Sequence, residues 1–198
     1  MVIILVSLTC RPYGMCICAP ATQQRLREGI MEVADEKLRE EIMSFARRYI
    51  SSGIVGIVGC FATISRQIKE KYGTDGEKLL QQACHDVGAK IGLFWKDKLS
   101  LAKGDLNELD KVLTEMARDI GWEYRMVETS PSRRVARVTF CPYLKGWKML
   151  DAPPYVCDLW GFFLSGVSDS VNPKMAFRYT ASMHKGDPYC EMVFEMEA

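Results

Sequence analysis

A chain of 198 residues, 48% of them apolar, can bury one sizeable core, so a single domain is the expectation. Its 26 basic and 25 acidic residues nearly cancel, which argues against a nucleic-acid partner, since such proteins cluster a basic excess on one face. Eight cysteines in a chain with a good core follow no compact disulfide framework, so reduced thiols and a cytoplasmic protein are expected.

The apolar run Met1 to Leu8 has no Lys or Arg before it and no clean small-residue cleavage site after it, so it fits a secretion signal poorly. It is far too short to span a membrane as a helix, and no membrane partner is expected. Residues 1–20 are read as an N-terminal extension outside the native fold, with Met15 or a later Met as the true start. No chemistry is placed on its Cys10, Cys16 and Cys18. The domain proper is then 21–198, with a helical part at 21–120 and a sheet-containing part at 121–198.

Leu26, Ile30, Val33, Ile42, Phe45 and Tyr49 recur at helical spacing and mark an amphipathic helix from about Thr22, a plausible N-cap, to Ile50. The alternating charges of Arg27, Glu28, Glu32, Asp35, Lys37 and Arg39 make its solvated face. In the next stretch Gly53, Gly56 and Gly59 are spaced by three, without the Gly-Lys-Ser/Thr ending of a phosphate loop. That spacing predicts a buried helix packed closely on another, with Cys60 as a small core residue, running to Lys71 and stopped by Gly73. A further helix from Asp75 to about Leu99 carries Leu80, Cys84, Val87, Ile91 and Phe94 or Trp95 on its apolar face, with His85 at the boundary. Another, from Leu106 to Ile120, ends at Gly121.

From Trp122 the period changes to two. Residues 123–129 and 133–140 alternate on either side of Ser130-Pro131-Ser132 and read as a hairpin. The stretch from Cys141 to Pro154 reads as irregular and Tyr155 to Ser168 as an apolar helix. A second hairpin follows, with arms Ala176 to His184 and Tyr189 to Met196. The expected fold is α+β: a helical N-terminal region packed with a four-stranded antiparallel sheet made of two hairpins separated by a helix.

Chemistry concentrates in the last third, where Cys141, Cys157, His184 and Cys190 fall at element ends. Cys157 near a helix start gains thiolate character from the helix dipole. Cys141, Cys157, His184 and Cys190 also make a Cys3His set for zinc, although no Cys-x-x-Cys pair occurs. In a third reading the thiols are buried small residues and nothing more.

Cys141-Pro142, Cys157, Arg178-Tyr179-Thr180 and Gly186-Asp187-Pro188-Tyr189-Cys190 with Phe194 resemble the C-terminal half of the L-2-amino-thiazoline-4-carboxylic acid hydrolase family. The position three residues after the helix cysteine, acidic in that family, is Trp160 here, while Asp158 follows the cysteine directly. The resemblance implies hydrolytic C–N opening of a small carboxylate-bearing heterocycle, with Cys157, Asp158 and His184 catalytic and with Arg178, Cys141, Tyr143, Trp160 and Cys190 around the substrate. The layout also resembles vinyl-reductase-type small-molecule-binding domains, which implies binding without catalysis. The two separate on one observation. An enzyme surrounds a polar cleft with a thiol, a proton-transfer group and Arg178, whereas a sensor or carrier has an apolar cavity lined by Trp160, Phe162, Phe163 and methionines.

Overall fold

The computed structural model describes residues 36–197. The extension at 1–20, its cysteines and the helix start at Thr22 lie outside them. By its internal contacts the chain divides into units of residues 1–50 and 51–198. The first contributes the opening turns of a long helix, and everything below concerns the second.

The element order is α1 (Glu36–Lys98), α2 (Leu106–Ile120), β1 (Glu123–Thr129), β2 (Arg133–Phe140), α3 (Pro142–Met149), α4 (Tyr155–Val171), β3 (Met175–Ala181), a 3-10 turn (Met183–Lys185) and β4 (Cys190–Met196). The strands form one antiparallel sheet in the order β1-β2-β4-β3. This is the expected α+β architecture, two hairpins joined edge to edge with helices on one face. Among the described residues no helix is long and apolar enough to cross a membrane.

Gly73 marks the expected break, yet helix resumes at once: its φ of 57° and ψ of −132° interrupt α1 without ending it. Asp105 caps the start of α2, the Glu108 N–H donating to Asp105 Oδ1 at 2.9 Å. The Glu108 carboxylate accepts in turn from the N–H groups of Ala102, Lys103 and Gly104, and Gly121, at φ 86°, closes the helix. The stretch expected to be irregular after Cys141 contains α3, which Pro142 opens at its first turn.

Register sorts the sheet residues by face. Ala136, Val138, Met192 and Phe194 are buried beneath the helices, together with Cys190. On the opposite face ion pairs cross the strands, Arg137 to Glu191 at 2.7 Å and Arg133 to Glu195 at 2.9 Å.

The close helix crossing is real, but other glycines make it. A β-carbon on Gly53 or Gly56 meets nothing within 4 Å, and Cys60 is exposed rather than in the core. Gly88 and Gly92 of α1 instead meet the backbone and side chains of Phe163, Val167 and Ser170 on α4, and Gly166 of α4 meets His85 and Ala89 of α1. A β-carbon on Gly88 lies 2.8 Å from the Phe163 carbonyl carbon, and one on Gly166 lies 2.8 Å from the Ala89 nitrogen. Small residues four apart let two helix backbones touch, and no other side chain fits there.

Candidate functional site: an apolar cavity beside a buried thiol corner

Four helices surround a cavity of about 540 Å³. The second half of α1 supplies Leu80, Cys84, Val87, Ile91 and Trp95, and the end of α2 supplies Met116 and Ile120. Tyr143 and Trp147 come from α3, Trp160 and Phe163 from α4, and Ile57, Val58 and Phe61 from α1 before its break. The apolar stripe that reads as a core-facing helix face is thus partly a cavity wall. Val87, 52% exposed, and Ile57, 73% exposed, stand where it meets solvent.

Aromatic rings make the inner wall. Trp160 stacks on Phe163 with centroids 4.3 Å apart and meets Tyr143 edge-on at 4.7 Å and Trp122 edge-on at 6.0 Å. Indole N–H groups of Trp147 and Trp160 are buried without a partner. Among the described lining residues Asp119 is the only charged one, and none is cationic. Burial pushes the Tyr143 hydroxyl well above its ordinary pKa and the Cys84 thiol up to about 11, so both stay neutral at physiological pH.

A second cluster lies where the first turn of α4 meets the 3-10 turn. Cys157 Sγ is 3.9 Å from Ser182 Oγ, and the Met183 N–H donates to Cys190 Sγ at 3.3 Å. Cys157, Cys190 and Cys141 are close enough that ionising one disfavours ionising Cys157, and the phenol of Tyr179 is held well above its usual range by burial and by the same thiols. The structure therefore brings the three cysteines to one neighbourhood, but the expected thiolate is absent. Cys157 occupies the third position of α4, where the helix dipole favours a thiolate, yet burial pushes its pKa up to about 12. The Ser182 contact lowers that pKa only partly.

The remaining expected residues point elsewhere. His184 stacks on Trp147, with planes 15° apart and centroids 5.6 Å apart, and its Nε2–H donates to the Ala152 carbonyl at 3.1 Å. Burial lowers its pKa and keeps it neutral. Asp158 pairs with Lys185 at 2.8 Å on the half-exposed surface. Arg178 lies on the ion-pair face of β3, its Nη2 donating to both Glu195 carboxylate oxygens at 3.0 and 3.1 Å, because the inward positions on either side of it are Phe177 and Tyr179. It does not line the cavity. Among the described residues no three His, Cys, Asp or Glu side chains are arranged to hold a metal ion, and His184 spends its Nε2 on a backbone carbonyl, so the residues present do not fit the zinc set. Of the expected substrate-binding residues, Tyr143 and Trp160 line the cavity while Cys141, Cys190 and Arg178 do not; of the apolar set, Trp160 and Phe163 line it and Phe162 does not. Sequence reasoning missed Trp147, whose helix was unrecognised, and Ile57, Val58 and Phe61, whose spacing was assigned to helix packing.

No family model matches the chain, and no curated protein is similar to it in sequence. The fold is nevertheless shared with solved structures. One is the trafficking protein particle complex subunit 3 from Naegleria fowleri covalently bound to palmitic acid, 11% identical, with a TM-score of 0.56 over 74% of this chain and 96% of that one. Another is the phenol-responsive sensory domain of the transcription activator PoxR with phenol, 10% identical, with a TM-score of 0.54 over 70% of this chain and 74% of that one. At such identities the likeness is one of fold.

Proposed function

We propose that this domain binds a small apolar molecule, an aromatic compound or an acyl chain, as a sensor or carrier. The observation that carries the reading is the cavity of about 540 Å³ with aromatic and aliphatic walls and no cationic side chain among its described lining residues. Its volume lies within the range of small-molecule sites, roughly 300–1,000 Å³. Two proteins of the same fold support it, since one holds palmitic acid and the other phenol.

Hydrolysis of a carboxylate-bearing heterocycle, the activity that the hydrolase resemblance implies, requires a cation and a reactive thiol at one cleft. Here Arg178 stands on the far face of the sheet, burial holds the Cys157 thiol protonated, and no cationic side chain among the described lining residues meets a carboxylate entering the cavity. Desolvating an unpaired carboxylate costs several kcal/mol on the order-of-magnitude scale for buried ions, so a neutral ligand is favoured.

Nile red, a neutral apolar dye, is expected to bind in the cavity and to be displaced by 1-phenylhexane more readily than by 6-phenylhexanoate at neutral pH. Ala83, which lines the cavity from an exposed position, offers the disruptive variant. Ala83→Trp fills the space and is expected to weaken dye binding at least about ten-fold without loss of fold. Absence of dye binding to the unmodified protein, or full binding to Ala83→Trp, refutes the reading.

A further inference from the structure

The cavity lies on a seam between two hydrophobic clusters. The larger contains Trp95, Met116 and Phe163, and the smaller contains Val58 and Trp147. Tyr143 and Trp160 pack against both. Residues 53–72 of α1 belong to the smaller: Val58 and Ala62 are buried in it and Phe61 packs against it. Beyond Gly73 the same helix changes partners, for Trp95 sits in the larger cluster and Cys84 packs on it.

Gly73 joins the two halves in a conformation, φ 57° and ψ −132°, that a β-carbon makes costly. A β-carbon there meets no neighbour within 4 Å, so the glycine serves the backbone and not the packing. One ion pair bridges the break, Lys69 Nζ to Glu77 Oε2 at 2.9 Å, and both partners are about one-third exposed. Water screens such a pair, so the angle is set mainly by the close approach of Gly76 to Ile68 and Tyr72 across the break. Two helix halves packed into different clusters and joined through one residue of wide φ/ψ freedom have the anatomy of a hinge.

We propose that residues 53–72 form a lid that turns about Gly73, parting the seam between the two clusters to admit and release the ligand. The proposal rests on the ligand-binding reading above. Opening moves Val58 and Phe61 away from Trp147 and uncovers the aromatic wall, while the sheet, α2 and the Gly88–Gly166 crossing stay in place. Closing removes the ligand from water, the step that stabilises an apolar ligand most.

The geometry supplies its own lock. A β-carbon built on Gly146 of α3 lies 3.6 Å from Val58 Cβ, inside the disulfide range of about 3.5–4.5 Å. In a Cys60→Ser background, oxidising the Val58→Cys/Gly146→Cys pair fastens the lid to α3. Stopped-flow mixing with Nile red is expected to show association and dissociation both at least about ten-fold slower for the oxidised double variant than for the same double variant reduced with dithiothreitol, so that the change at Val58 itself cancels from the comparison. Equal rates with and without the crosslink, its formation verified by mass spectrometry, overturn the lid. Failure of Nile red to bind the unmodified protein removes the ligand-binding reading and the lid with it. Gly73→Ala tests the hinge without a crosslink: strain at the break is expected to weaken dye binding about ten-fold while the far-UV spectrum stays helical, and unchanged affinity and rates overturn the hinge.

Discussion

Helix α4 carries two regions of opposite character. Trp160 and Phe163 face a cavity that offers space and almost no chemistry, whereas Cys157, one turn earlier, faces a corner that holds chemistry and no space. Cys157 is 7% exposed and Ser182 6%. Reactivity of a thiol depends on stabilising its anion, and desolvation outweighs the favourable helix dipole here. Residue types that suggest a nucleophile thus lie in a buried corner with raised pKa, and plain aliphatic and aromatic residues line the cavity proposed to bind a ligand.

Both regions depend on the α1–α4 crossing, so the largest effect is expected there. Gly88→Val drives its side chain into the Phe163 backbone carbonyl, which has no freedom to yield. The expected cost is at least about 3 kcal/mol in urea denaturation, with dye binding and protection of the Cys157 thiol lost together. Gly53→Ala has nothing within 4 Å to strike and is exposed in the helix, so it is expected to be neutral or to stabilise by up to about 1 kcal/mol. Equal tolerance of the two substitutions refutes the assignment of the close crossing to Gly88.

The corner can be separated from the cavity by pH. In the unfolded chain the Cys157 thiol titrates near 9.0, and in the folded protein near 12. A raised folded-state pKa means that its contribution to stability is fully present below pH 9 and is lost as pH rises toward 12. Over that window the unfolded chain binds fewer protons, so this one thiol lowers stability by at most about 1.4 kcal/mol per pH unit. Cys157→Ala is expected to flatten the fall in stability between pH 8 and 10.5 relative to the parent while leaving Nile red affinity within about two-fold. Cys84, raised by burial alone, titrates alike in both proteins, whereas Tyr179 is coupled to Cys157, so the difference reports the Cys157 thiol together with its coupling to Tyr179 and the neighbouring thiols. Parallel stability curves argue that the thiol is no harder to ionise in the fold than outside it.

The fold was legible in the sequence because its signals are local. Period-two alternation marked the first hairpin, the turn at Lys185-Gly186-Asp187-Pro188 marked the second, and Gly121 and Gly73 marked a helix end and a helix break. The crossing was misplaced because Gly53, Gly56 and Gly59, three apart, look like a close-packing stripe as readily as Gly88 and Gly92, four apart; of the first set only Gly59 is tightly packed, against the Leu150 side chain, whereas Gly88 and Gly92 meet the α4 backbone. The Gly88-x-x-x-Gly92 spacing was a signal in plain view. The cavity was half legible. Trp160 and Phe163 belong to the set expected of a sensor, but an apolar residue lining a void and one filling a core have the same sequence pattern. Cys141 and Cys190 are brought near one another because β2 and β4 pair, and Cys157 joins them from the start of α4, but their protonation is a property of burial and could not be read from spacing. Arg178 was misassigned to a binding cleft although its alternation with Phe177 and Tyr179 fixes it opposite to the buried face.

That last residue gives the smallest expected effect and the sharpest check on which face of the sheet matters. Arg178 is 48% exposed and pairs with Glu195, which also takes Arg133 at 2.9 Å, so removing Arg178 leaves no buried charge unpaired. Surface pairs of this kind contribute roughly 0–1 kcal/mol, less in salt. Arg178→Ala is therefore expected to cost under about 1 kcal/mol, with the loss shrinking at high ionic strength, and to leave both Nile red affinity and the preference for 1-phenylhexane over 6-phenylhexanoate unchanged. Arg178→Lys, which keeps the charge and loses the planar fork, should behave the same way, because no carboxylate ligand depends on that fork. Should either substitution weaken the carboxylate alone, a ligand headgroup reaches the open face of the sheet, and the division between a binding cavity and an inert ion-pair lattice fails.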